Sequence, residues 1–135
     1  MPNRTSAKEW LEKVYHDLSS AKILFDANHY TDVIGVDLHY AIEKALKSFL
    51  AYENKPIPKT HDLPKLYLMV QDYVTFNETE LKLINIATNY HIEVSYPTFE
   101  KVLPPREEIK EVIDFTEDLL NRACEILNID IEELK

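Results

Sequence analysis

Apolar residues along this chain recur at steps of three and four, the period of a helix face. The first such face runs through Trp10, Val14, Leu18, Ala21 and Leu24/Phe25. It is preceded by "SAKE", a capping-box pattern in which Ser6 and Glu9 satisfy each other's free amides, so a helix is expected to start at Ser6. The pattern fades near 27–30. A second helix is expected from Thr31 or Asp32 to about Tyr52. It carries two apolar stripes, one through Val33, Val36, Tyr40/Ala41, Ala45, Phe49 and Tyr52, the other through Ile34, Leu38, Ile42, Leu46 and Leu50. A helix apolar on two faces has neighbours on both sides and lies inside a bundle. Gly35 within it suggests a close helix approach or a local weakness.

"ENKPIPKTHD" reads as a loop, because Pro56 and Pro58 lack amide donors. A short helix is expected from about Asp62 to Tyr73, with Pro64 tolerated in its first turn. "NETE" then caps a fourth helix, Asn77 pairing with Glu80 three residues on. Leu81, Ile84, Ala87/Thr88 and His91 follow its period. Pro97, Pro104 and Pro105 bound the next loop. A last long helix starts near Pro105, with Glu107 and Glu108 suited to a helix N-terminus. Its stripe is Ile109, Val112/Ile113, Thr116, Leu119/Leu120, Ala123 and Ile126/Leu127. The tail "NIDIEELK" adds a turn or frays. Short connections favour antiparallel neighbours. The expected fold is all-α: an antiparallel up-and-down bundle of about five helices in one domain, 1–135.

Composition narrows the chemistry. The single Gly excludes phosphate-cradling glycine loops and dinucleotide fingerprints, which need several. A net charge of −9 opposes broad, non-specific binding to nucleic acid or an anionic membrane, and leaves room for a local basic pocket. No apolar run approaches the ~20 residues that span a bilayer. Cys124 is the only cysteine, so disulfides and multi-cysteine metal sites are excluded; one thiol and a polar start fit a cytoplasmic protein. Cys124 borders the last apolar stripe and reads as a buried thiol.

The five histidines are His16, His29, His39, His61 and His91. They form no H-E-x-x-H pattern and no Glu-x-x-His pair. No metal site and no cofactor are expected, and most of these histidines read as surface or helix-end residues. The segment "DLHYAIEKALKSFL" is richer, with Asp37, Glu43, Lys44 and Lys47 set in apolar sequence. Lys44 and Lys47 lie three apart on neighbouring positions of one face. Charges at a helix interface must be paired or functional. Two readings stand: a structural ion-pair ladder, or an anion or nucleotide site in which the lysines meet phosphate.

The order of motifs resembles the HEPN domain family over about Trp10 to Leu127. The carrying residues are Trp10, the Asp17-Leu18-x-x-Ala21 run, Tyr30 with Asp32, then Ala41, Glu43, Lys44, Ala45, Leu46 and Lys47, then His61, Asp62 and Leu63. The resemblance implies an antiparallel helical bundle that dimerises and partners a minimal nucleotidyltransferase, in some members as a toxin–antitoxin pair. It also implies a nucleotide or phosphate site, for which Lys44, Lys47, His61 and Tyr96 are the candidates. Nuclease-active members of the wider group carry an Arg four to six residues before a His and cleave RNA without metal. Here Arg4, Arg106 and Arg122 have no histidine at that spacing. In "HIEVSYP", Ile92, Glu93, Tyr96 and Pro97 stand in the family's places, and Ser95 stands where its arginine would. Serine supplies neither the charge nor the donor fork of a guanidinium. His91 and His61 remain the catalytic candidates for a ribonuclease, the alternative to a non-catalytic binding partner.

Overall fold

The computed structural model describes the backbone of residues 2–95 and 103–135, and the side chains of 2–91 and 103–135. Among these, five α-helices follow one another: α1 (Arg4–Asp26), α2 (Thr31–Tyr52), α3 (Leu63–Val70), α4 (Glu78–Ser95) and α5 (Arg106–Leu127), with a closing 3-10 turn at Ile131–Leu134. This is the expected all-α antiparallel bundle. No helix among the described residues is long and apolar enough to cross a membrane.

α2 is the axial helix. It packs against α1, α3, α4 and α5, which is why its apolar residues run all round. Ile34, Leu38, Ile42, Leu46 and Phe49 are fully buried. α1 supplies Ala7, Leu11, Val14, Leu18 and Ala21, and α5 supplies Ile109, Val112, Leu119 and Ala123, to the same core. Full burial of a Leu, Ile or Phe side chain contributes about 1.5–3 kcal/mol, so this apolar contact, rather than helix propensity, holds the bundle.

Local boundaries follow identifiable caps. α1 starts two residues before the expected Ser6, because Asn3 is the cap. Its side chain accepts from the Ser6 amide at 3.0 Å, and its own amide donates to Tyr52 O at 2.7 Å. That second bond ties the start of α1 to the end of α2 and is invisible to a local pattern. The expected capping box at α4 is present: the Asn77 amide donates to Glu80 Oε1 at 3.0 Å and the Glu80 amide to Asn77 Oδ1 at 2.8 Å. α3 is shorter than expected. Asp62 caps it, accepting from the Lys65 amide, and it ends at Val70, where the Tyr73 amide turns back to Val70 O at 2.9 Å. Gly35 marks a close approach. A Cβ there would lie 2.9 Å from Tyr90 Cγ, so only glycine lets α4 sit this near α2.

The three arginines fasten element ends. Arg4 pairs with Glu133 at 2.6 Å. Arg106 donates to Phe25 O at 3.1 Å and lies 4.0 Å over the Phe25 ring. Arg122 pairs with Glu80 at 2.8 Å and donates to Thr75 O at 2.6 Å, pinning the α3–α4 connection to α5.

Candidate functional site: a histidine cluster around Glu43

Successive positions four apart on a helix stand above one another. In α2 this stacks His39, Glu43 and Lys47 on the face turned towards α4 and the loop between α2 and α3. Lys47 Nζ donates to Glu43 Oε2 at 3.1 Å. The loop delivers His61, whose Nδ1 sits 2.7 Å from Glu43 Oε1. Thr88 of α4 holds that loop in place, donating to His61 O at 3.2 Å and accepting from the Leu63 amide at 3.1 Å. α4 also delivers His91, whose ring stacks on His61 with centroids 4.4 Å apart and planes at 19°. Tyr40 stands edge-on to both rings.

Burial grades across the cluster. His39 is fully buried, and Glu43 and Lys47 are 5 % and 6 % exposed. The His61 side chain is half exposed and opens the site to solvent. The Lys47 ammonium also lies 6.0 Å from the Trp10 ring centroid, at the outer range of a cation–π contact. Burial alone would raise the Glu43 carboxyl; hydrogen bonds from its neighbours outweigh this and hold it at about 2. His39 Nε2 comes to 3.4 Å from Glu43 Oε1, within ion-pair range, but makes no hydrogen bond. The depression therefore rests on His61 and Lys47, which do donate to the carboxylate. Burial, then the nearby charges of His61 and His39, lower the His91 pKa, with Glu43 opposing them. His91 is thus neutral near pH 7 and able to accept a proton.

Of the candidates read from sequence, His61, His91 and Lys47 meet at Glu43. Lys44 does not join them: it turns to α1 and pairs with Asp17 at 2.7 Å. Tyr96 lies outside the described residues, as do the side chains of Glu93 and Ser95. The reading of histidines as surface or helix-end residues holds for His16, His29 and His61 and fails for His39. That residue lies in the middle of α2 and is sealed by α4, its Nδ1 lying 3.0 Å from Ala87 O. A signal for it is present in the sequence: His39 and Glu43 are four apart and so share one helix face, a pairing that neither H-E-x-x-H nor Glu-x-x-His describes. Cys124 is buried as expected, and burial, with the Asp130 and Glu133 charges, pushes its thiol up to about 11.

A five-helix bundle with a polar histidine cluster on its axial helix defines a class, and comparison supplies the family. The HEPN domain pattern matches residues 7–127; the chain belongs to the HEPN domain family. It is similar to TT1696 from Thermus thermophilus, at 22% identity and a TM-score of 0.75, covering 89% of this chain and 97% of that one. It is also similar to ST0689, an archaeal HEPN homologue, at 14% identity and a TM-score of 0.68, covering 90% and 97%. At these identities the likeness is one of fold. No curated protein sequence matches the chain significantly.

Proposed function

We propose that this protein is a dimeric HEPN-domain binding partner of a minimal nucleotidyltransferase, in the manner of a toxin–antitoxin pair, and not a nuclease. The observation that carries this is the state of its cations. Arg4, Arg106 and Arg122 are bound to Glu133, Phe25 O and Glu80, Lys44 to Asp17 and Lys47 to Glu43. No arginine among them reaches the histidines, and cleavage of a phosphodiester needs a preorganised positive group on the developing charge. The stack of His61 on His91 also leaves no space for a phosphate between a base and an acid. Ser95 at the arginine position agrees. Nucleotide binding would fall to the open His61 side of the cluster; Lys47 is held by Glu43, and Tyr96, the other sequence candidate, lies outside the described residues. Ile23, Tyr30 and Val33, exposed apolar residues flanking the α1–α2 turn, support a dimer.

The test is co-purification with the nucleotidyltransferase encoded nearest to this chain, with light scattering for the dimer. A stable complex is expected. A monomer that captures no nucleotidyltransferase overturns the reading.

The ribonuclease reading rests on one observation, a neutral His91 beside a solvent-facing His61. It requires RNA cleavage that survives chelator and disappears in His91→Ala. Intact RNA after incubation with the dimeric protein removes it.

A further inference from the structure

We propose that His39 Nε2, Glu43 Oε1 and His61 Nδ1 bind a first-row divalent transition-metal ion, zinc by its donor set. These three atoms all lie within 4.8 Å of one another. Two imidazoles and one carboxylate, with a further position open, form a zinc set of the catalytic type, as against the closed four-ligand structural type. Imidazole donors favour zinc, nickel or copper over magnesium or calcium.

The independent observation is the orphaned nitrogen of His39. Its Nδ1 faces Ala87 O at 3.0 Å, and a carbonyl can only accept, so Nδ1 carries the proton. In the neutral ring Nε2 is then a bare lone pair. It is sealed from solvent, has no hydrogen-bond partner, and points at a carboxylate oxygen 3.4 Å away. Two acceptors held face to face in a buried site repel one another, and a cation between them removes the repulsion.

The distances fit. A tetrahedral ion with ligands at about 2.0–2.2 Å sets its donor atoms roughly 3.4 Å apart, which is the separation of His39 Nε2 and Glu43 Oε1. His61 Nδ1 now donates to the same oxygen at 2.7 Å; to ligate, it must give up that proton to Nε2 or to solvent and withdraw by about 0.7 Å to meet that spacing. It is the half-exposed member on a loop, the one best placed to move. Outer contacts are already in place: Ala87 O orients His39, and Lys47 holds the second Glu43 oxygen at 3.1 Å. Such partners orient ligands in metal sites. The Lys47 ammonium also repels the ion, which places the affinity below that of a site without it. His61 faces solvent, so water takes the open position. The inference goes beyond the partner reading and stands or falls separately from it.

The experiment uses the full, untagged chain, stripped with chelator and titrated with Co²⁺ by visible absorption and with Zn²⁺ by calorimetry. One equivalent per chain, absorption bands of a tetrahedral cobalt site and a zinc-dependent rise in Tm are expected. His61→Ala should weaken binding at least about tenfold, since loss of even an outer-shell partner costs 10–100-fold. His61 is on a loop, so this variant stays readable where His39→Ala unfolds. His16→Ala, at an exposed histidine on α1, should bind as the parent does. Absence of stoichiometric binding, or binding undiminished in His61→Ala, overturns the proposal.

Discussion

Lys44 and Lys47 are three residues apart on α2, and the bundle treats them oppositely. Lys44 lies in the seam between α1 and α2, its ammonium on Asp17, with both side chains about a quarter exposed. Beside it, Ser20 donates to Asp37 at 2.9 Å, and that carboxyl is raised above its usual range, chiefly by burial. Lys47 is buried with Glu43 in a pair whose side chains are each 7 % exposed, its ammonium towards the Trp10 ring of α1. Both are ion pairs of similar length, and their energetic roles differ. In the seam, water screens the charges and replaces either partner. In the buried cluster, removing Glu43 leaves the Lys47 ammonium without its ion-pair partner. The seam is structural ladder; the pocket is where chemistry can be held.

That contrast can be broken by experiment. The largest effect is expected from Glu43→Ala, measured by urea unfolding in the presence of chelator. It strands a buried ammonium and should cost about 3–5 kcal/mol. A cost equal to that of Asp17→Ala would erase the distinction between the two regions.

Gly35→Ala tests the packing that brings α4, and with it Ala87 and His91, against α2. The added methyl meets Tyr90 at 2.9 Å. Overpacking costs about 1–3 kcal/mol, and alanine's better helix propensity returns about 1 kcal/mol of it. A net loss of about 1 kcal/mol is expected, seen as a lower urea midpoint. A gain in stability would mean that the ring moves aside at no cost.

Cys124 extends the contrast to α5, where nothing charged compensates burial. Its pKa is raised from 9.0 to about 11. The folded state therefore resists releasing the proton that the unfolded state gives up near pH 9. The stability it contributes is complete below pH 9 and is lost as pH rises towards 11. At pH 8.5 an alkylating reagent should label the native thiol far more slowly than the urea-unfolded one; equal rates would show an accessible thiolate.

The smallest effect is expected from Asp17→Ala. An ion pair this near solvent is worth about 0–1 kcal/mol, and what it contributes should shrink in high salt. A loss above 2 kcal/mol, unchanged by salt, would make the seam as dry as the pocket.

Much of the fold was legible because helix signals are local. The Asn77–Glu80 box, Pro105 ahead of two glutamates, and the doubly apolar α2 each act within a few residues, and all appear in the structure. The misses have a common cause. Asn3 caps α1 partly through Tyr52, about fifty positions away, and no window along the chain contains both. The candidate site was legible only in pieces. His61 and Lys47 could be named from the resemblance and His91 from its place at the end of α4, whereas their gathering around His39 and Glu43 could not.

The amino-acid sequence by itself determined the five helices, the Asn77–Glu80 cap of α4 and the absence of glycine-loop phosphate chemistry, since spacing, proline and capping side chains act over one or two turns. Tertiary structure alone decided which charges are dry. Two lysines on one helix face look alike along the chain. Only the packing of α2 against its neighbours, which buries Lys47 with Glu43 and His39 and brings His61 to Glu43 and His91 against His61, makes a ladder on one side of α2 and a site on the other.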